Sequence, residues 1–380
     1  MALKRVPGNI EDEPSTEPRR DPFAEAKEQV LASVKNATPQ QHEAENMQRF
    51  AGFGIGIATL LSENVLCHPF IVFRRQCQVH QQAYRYHLQP FSVVQVIVNL
   101  QRHQGSFTMW KGIGSSFVVQ GLTLGTEAVI SEVTPLCKEV TRFSTLKEVA
   151  GHLALKALSI AVTMPFYSAS LVESVQSDIA SERPGVFDCI KEGLCRLVGW
   201  GTPQTTRLLP MYALLLPTVS HGLVKYIFTS GIQYLVQVVF HEAQKLRHQV
   251  EEDGNPPPPR SMMEAYFPEL LASFLGSLFA DVTLYPFETI LNRLHIQGTR
   301  TIIDNIDYGY SVVPISTRYE GFSDCFRSVV KDEGMLGLYK GFGALILQYA
   351  IHAAILKLTH VIYTRLIEDL LVVSKKKEEE

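Results

Sequence analysis

Cysteine is scarce and badly spaced for chemistry: six residues in 380, with no C-x-x-C pair, exclude a zinc ribbon and a thioredoxin-type redox motif and do not make a disulfide framework. Neither sign of charge dominates, since 35 Lys+Arg stand against 38 Asp+Glu for a net −3, so no basic face is offered and no nucleic acid partner is expected. Charge as a whole is thin, at 19 % of the chain where soluble domains carry about 25 %. No Ser-His-Asp, Cys-His or P-loop pattern occurs, so the sequence reads as no enzyme and implies no cofactor. The opening MALKRVPGNIEDEPSTEPRR has neither the apolar core of a secretory signal nor the acid-poor composition of a transit peptide. Insertion into a membrane is therefore expected to rest on internal segments.

What the chain does have is apolar length. Hydrophobic residues reach 46 % and mean hydropathy is +0.05. Runs of 16, 17, 16 and 16 residues without Asp, Glu, Lys or Arg lie between Lys156 and Glu173, Arg207 and Lys225, Lys225 and Glu242, and Lys340 and Lys357. Shorter runs of 15 and 13 follow Lys111 and Arg49. Any one of them could be a buried core helix; together they read as membrane helices that lean polar residues toward a wet cavity. Residues 1–46, with five prolines among charges, read as a disordered soluble tail, 242–265 as a charged Pro-rich insert, and 372–380 as a charged tail. Within the insert, Pro256 to Pro259 followed by Arg260 reads as a stiff polyproline linker.

Self-similarity organises the rest into three blocks, expected to be free of strands. Pro-Phe pairs begin at Pro69, Pro165 and Pro286, 96 and 121 residues apart. Setting aside the charged insert brings both intervals close to 100 residues. Downstream stand QGSFTMWKG, with Gly105, Trp110, Lys111 and Gly112; EGLCRLVGW, with Glu192 and Gly193; and EGMLGLYKG, with Glu333, Gly334, Tyr339, Lys340 and Gly341.

On these residues the chain resembles the mitochondrial carrier family, solute carrier family 25, whose repeat reads Pro-x-acid-x-x-base-x-base, then acid-Gly-x-x-x-x-aromatic-base-Gly. The resemblance covers roughly residues 47–370. It implies an all-α integral membrane protein: a six-helix bundle of three pseudo-repeats, 47–144, 145–241 and 266–371, some helices degenerate, with kinks at Pro69, Pro165 and Pro286. The signature makes physical sense. Proline removes a helix donor and bends the chain, acid and base one turn apart share a helical face, and the glycine after the acid can end a short surface helix.

The departures from that pattern carry the functional reading. The acid and base positions hold Ile71 and Arg74, then Tyr167 and Ser170, then Glu288 and Leu291. In the family's cyclic arrangement the third acid faces the first base, so the resemblance makes Arg74 and Glu288 partners in a structural salt bridge. The cavity faces of the even helices, 113–126, 208–224 and 341–356, offer only His221 and His352, which leaves no constellation for a phosphate or a dicarboxylate. The third repeat, LYPFETILNRLHIQGTR and onward, most nearly resembles an outer-membrane branch of the family. That likeness implies a multi-pass protein of the mitochondrial outer membrane, a non-transporting scaffold or adaptor in fusion, fission, cristae maintenance and lipid handling. Its implied partners are membrane lipids and proteins of the fusion and cristae-organising machinery. A transporter of a neutral or lipidic solute is the alternative, since an uncharged cavity would suit it.

Three further features complete the reading. Gly52, Gly54 and Gly56 give a G-x-x-x-G that packs within the bundle or marks a dimer face. His68, His80 and His87 cluster with Cys67 and Cys77 near the first kink without ligand spacing, so no metal is expected. The inserted loop 299–317 is too apolar for a solvated linker and reads as a packed or partner-contacting segment, or as a local plug. In a six-helix chain it should face away from the compartment shared by both termini and the 242–265 insert.

Overall fold

The computed structural model describes residues 64–138, 144–179, 185–199, 207–250 and 262–378, all within one compact unit, Gly54–Glu380. The tail 1–46, the glycines at 52, 54 and 56 and the prolines 256–259 lie outside the described residues. The chain is mostly helical. Helix α1 covers 64–79, and α2 (Pro90–Gln104), α3 (Ile113–Val133), α4 (Leu146–Val175) and α5 (Asp188–Val198) follow. Then come α6 (Met211–Val250), α7 (Met262–Ile296), α8 (Phe322–Asp332) and α9 (Phe342–Glu378). Among the described residues five segments are long and apolar enough to cross a membrane, and they include α3, α4 and the greater part of α6, α7 and α9.

The expectation of strand-free blocks is corrected by a small antiparallel hairpin, β1 (Ile302–Asp304) with β2 (Val312–Pro314), inside the inserted loop. Its register pairs Ile303 with Val313, and β1 also bridges to Gln176 just beyond α4. Adjacent β-branched residues in IID and VVP favour extended backbone, and the turn between them is closed by Asn305 N donating to Ser311 O at 2.7 Å.

Pro69, Pro165 and Pro286 each sit inside a long helix, α1, α4 and α7. The C-terminal ends of these helices meet: Val79, Leu171, Val175 and Ile296 form one buried cluster around Ile303 of the hairpin. Local signals start and stop the helices. Thr145 and Glu148 form a reciprocal capping box at the start of α4, Thr145 N donating to Glu148 Oε2 at 2.9 Å and Glu148 N to Thr145 Oγ1 at 3.4 Å. Pro90 opens α2, and Arg102 and His103 complement the negative end of its dipole. Gly112 and Gly341, at φ +69° and +84°, turn the chain into α3 and α9.

The middle repeat departs from the expected helix stop. Gly193 lies within α5, where a Cβ would come 2.6 Å from Phe166 Cδ1, and the left-handed cap is Gly199 at φ +73°. The aromatic-base-Gly half of the signature is missing there, so nothing holds the chain at Gly193, and the glycine serves close packing instead. Helical backbone also runs into both ends of the 242–265 segment, because α6 continues to Val250 and α7 begins at Met262. At 40 residues α6 is about 60 Å long, twice the hydrocarbon thickness of a bilayer.

Close backbone approach gives the first testable outcome. A Cβ on Gly343 would meet Gln89 O at 2.5 Å, Gln89 C at 2.6 Å and His87 O at 2.8 Å, all main-chain atoms that cannot rotate away. Gly343→Ala should lose about 1–3 kcal/mol in thermal unfolding in detergent. Gly121→Ala in α3, where a Cβ meets nothing within 4 Å, should be neutral or gain up to about 1 kcal/mol. Equal effects would contradict this packing.

Candidate functional site

The proline-bearing helices bring the two surviving signature charges together: Arg74 NH2 lies 3.2 Å from Glu288 Oε1. The pair is not alone. Arg74 NH1 is 3.8 Å from Asp281 Oδ2, Lys225 Nζ is 2.5 Å from Asp281 Oδ1, and Tyr349 OH donates to Asp281 Oδ2 at 2.8 Å. Four charges from α1, α6 and α7, with a hydroxyl from α9, thus form one chain of contacts. The view of the even helices as free of charge is corrected at this point, because Lys225 stands one position past its uncharged run and reaches the network. The neutral signature positions are engaged otherwise: Tyr167 OH donates to Asn292 Oδ1 at 3.2 Å, Ser170 and Ser115 hydroxyls lie 3.0 Å apart, and Leu291 is buried. His221 stacks on Phe287 and His352 packs against Phe274.

The second half of the signature builds a different kind of site. In the third repeat Glu333 is clamped between Arg293, seven residues after Pro286, and Lys340, whose Nζ lies 2.6 Å from Glu333 Oε2. Arg293 engages both carboxylate oxygens, NH2 donating to Oε2 at 2.8 Å. Tyr339 stacks parallel to Tyr285 at 5.9 Å, Tyr285 OH donates to Lys340 O at 2.7 Å, and Gly334 at φ +76° turns the chain just after the carboxylate. In the middle repeat, among the described residues, Glu192 pairs with Arg196 alone, at 3.8 Å, and Arg196 also donates to Ser168.

In the first repeat the equivalents of Arg293, Glu333 and Lys340 are Gln76, Gln104 and Lys111, so the basic residue is retained and its carboxylate is gone. The hairpin fills the gap. Asp304 is fully buried; its Oδ2 lies 2.6 Å from Lys111 Nζ and accepts from Gln76 Nε2 at 2.9 Å, while Oδ1 accepts from Gln104 Nε2 at 3.0 Å. Gly105 at φ +96° ends α2 next to Gln104, and Trp110 donates its indole N–H to Val65 O at 2.9 Å, holding the turn that carries Lys111.

Further contacts tie the inserted loop to every repeat. Asp307 accepts from the backbone N–H groups of Tyr84 and Arg85 at 3.2 and 2.8 Å, and His87 Nε2 donates to Ile306 O at 3.1 Å. Ser177 N donates to Ile302 O at 2.8 Å, and Arg207 NH1 to Ser316 O at 3.0 Å. Ile306 enters the buried cluster of Val72, Phe73, Val96 and Leu100 from the first repeat. Of the histidines near the first kink, His87 is spent in this way and His68 donates to Lys111 O at 2.9 Å. Among the described residues no group of three or more His, Cys, Asp or Glu is placed to hold a metal ion.

Asp304, Asp281 and Lys225 escape a reading by repeat alone. Asp281 and Lys225 carry a signal that could have found them, since a lone ionisable residue inside an apolar run is costly unless paired. Asp304 carries a subtler one: Lys111 kept its place while the acid beside Gly105 did not. Burial alone would raise the Asp304 carboxyl, but the Lys111 ammonium and hydrogen bonds from Lys111, Ser177 and Gln104 outweigh it and hold it below the ordinary aspartate value.

The family description "Mitochondrial carrier protein" matches residues 263–369. The chain is 53 % identical over 326 residues to mitochondrial outer membrane protein SLC25A46 of Gallus gallus, covering 86 % of this chain and 79 % of that protein. It is 49 % identical over 348 residues to the Homo sapiens protein of the same name, covering 92 % and 82 %. Against solute carrier family 25 member 46-B of Xenopus laevis it is 50 % identical over 324 residues, covering 85 % and 78 %.

Two outcomes follow from the charges. Removing one member of the Arg74–Glu288 pair should cost about 3–5 kcal/mol, because its partner is left among buried groups. In a double-mutant cycle read by thermal unfolding, Arg74→Glu with Glu288→Arg should recover part of the loss; strictly additive losses would refute the coupling. Asp304 sets the second. With its folded value depressed, its stabilisation is complete above the unfolded value of about 3.9 and is lost as pH falls through the lower folded value. The gap in Tm between the native chain and Asp304→Asn should hold from pH 7 to about 5 and close below about 4; a gap that widens on acidification would contradict the assignment.

Proposed function

The chain belongs to the mitochondrial carrier family, and from that premise we propose that it is a non-transporting, carrier-like scaffold acting in mitochondrial fusion, fission, cristae maintenance and lipid handling. It is a multi-pass protein of the mitochondrial outer membrane. We read α1, α3, α4, α6, α7 and α9 as the six helices of three repeats, 47–144, 145–241 and 266–371, with α2, α5 and α8 as the surface helices between them. The insert at 242–265 and the loop at 299–317 lie at opposite ends of α7, a 35-residue helix about 52 Å long, which supports their facing different compartments. Each compartment then offers its own class of protein partner, alongside the membrane lipids.

The observation that carries this reading is the reduction of the cyclic gate. A carrier alternates between two states by breaking and remaking weak charge pairs, so each state must be reachable at small cost. Here one pair remains, and Asp281, Tyr349 and the half-exposed Lys225 bind it into a larger, mostly buried network. Such a network favours one arrangement. We accordingly read the chain as non-catalytic and as no exchanger of anionic metabolites. What favours the alternative, a transporter of a neutral or lipidic solute, is the absence of Lys, Arg, Asp and Glu from 113–126 and 341–356.

Reconstituted protein should show no saturable exchange of nucleotides, phosphate, dicarboxylates or amino acids, while purification in mild detergent should retain proteins of the fusion and cristae-organising machinery. Saturable uptake lost on Lys225→Met would replace the scaffold by a transporter. A chain recovered without any protein partner would remove the adaptor role.

A further inference from the structure

Asp304 belongs to no repeat signature, yet it stands where one is incomplete. The third repeat shows the complete arrangement, with a carboxylate between a basic residue on the proline helix and the basic residue before the second signature glycine. The first repeat retains that shape with its own carboxylate missing. Lys111, Gln76 and Gln104 point three donors at one position, and the hairpin inserted some 200 residues later places a carboxylate there, every contact within 2.6 to 3.0 Å. Without an anion this cradle would hold a buried ammonium, the buried Gln76 amide and the half-buried Gln104 amide with no acceptor, a costly arrangement in a low-dielectric setting.

The same residue aligns a stopper. Ile303, next to Asp304, is buried among Val79, Leu171, Val175 and Ile296, where the three proline helices converge. We propose that the signature turn of the first repeat forms a carboxylate-binding cradle and that the 299–317 hairpin is its built-in ligand, anchored through Asp304 so that Ile303 stoppers the meeting point of the proline helices. The chemical class the cradle takes is a carboxylate, supplied in this chain by the protein itself. The inference deepens the non-transporting reading and takes its functional meaning from it, but the cradle is tested without any transport assay.

The test uses the full-length protein in detergent. Asp304→Ala should lower Tm by roughly 5–10 °C, and sodium formate at tens of millimolar should recover at least half of the loss while sodium chloride of equal ionic strength does not. Adding Lys111→Met should abolish the recovery. Should Asp304→Ala fail to fold, Asp304→Asn combined with Gln104→Glu is the decisive variant. It returns the acid to the position that Glu333 holds in the third repeat, and it should bring Tm to within about 3 °C of the native chain. In that stable variant the hairpin has lost its anchor, so limited proteolysis within 299–317 should speed up at least tenfold. Absence of rescue by both formate and Gln104→Glu would overturn the cradle, and unchanged proteolysis in the rescued variant would overturn the anchored stopper. Saturable uptake by the native protein, with both rescues intact, would instead refute the non-transporting reading and leave the cradle standing.

Discussion

A carboxylate taken out of water must be met by charge and hydrogen bonds, and the position of the inserted hairpin depends on how Asp304 meets that demand. Lys111 supplies the charge, and Gln76 and Gln104 supply neutral donors to both oxygens. Because Asp304 sits in β1 beside Ile303 and two residues before Ile306, fixing one anion fixes two apolar anchors. One enters the junction of the proline helices and the other the core of the first repeat. The inserted segment is thereby held by contacts to all three repeats.

The chain contains two versions of one electrostatic arrangement and a remnant of a third. Glu333 is local to its repeat and faces two cations, so the third repeat closes on itself. Asp304 comes from another repeat and faces one cation, so it stitches the first repeat to the third. The middle repeat has Glu192 and Arg196 one helical turn apart with no second base, and its surface helix runs on to Gly199. Replacing a buried ion pair by apolar residues often costs nothing in stability, whereas removing one partner costs a great deal. What such pairs supply here is register: they decide which turn faces which helix.

Much of the architecture was legible because its signals are periodic. Three Pro-Phe pairs, one complete and one acid-less glycine signature and the uncharged runs located the long helices, and the cyclic rule of the family singled out Arg74 and Glu288, which lie 3.2 Å apart. What could not be read depended on contacts between residues with no shared period. The strands of the hairpin are three residues each, too short for alternation to register. The shift of the middle helix stop from Gly193 to Gly199 followed from a missing half-signature whose consequence is steric. Asp281 and Lys225 were visible as isolated charges, yet their meeting depends on how α6 lies against α7, and nothing in either segment alone states that.

The energetic consequence of the two buried charge sites bears on motion. For a carrier to turn over, its open and closed arrangements must lie within a few kcal/mol of each other, since each 1.4 kcal/mol is a tenfold change in population. Separating the proline helices at their junction would draw Ile303 out of its apolar cluster, at about 1.5–3 kcal/mol for a side chain of that size. It would also strain the Asp304 contacts, and breaking a buried ion pair of this kind costs about 3–5 kcal/mol. If both losses fell together, the open arrangement would be populated at roughly one part in 10³ to 10⁶. A bundle held that firmly at one end has a fixed outer surface, which is what the proposed scaffold role requires. The stopper and the reduced gate therefore act in the same direction: each removes a way for the helices to part.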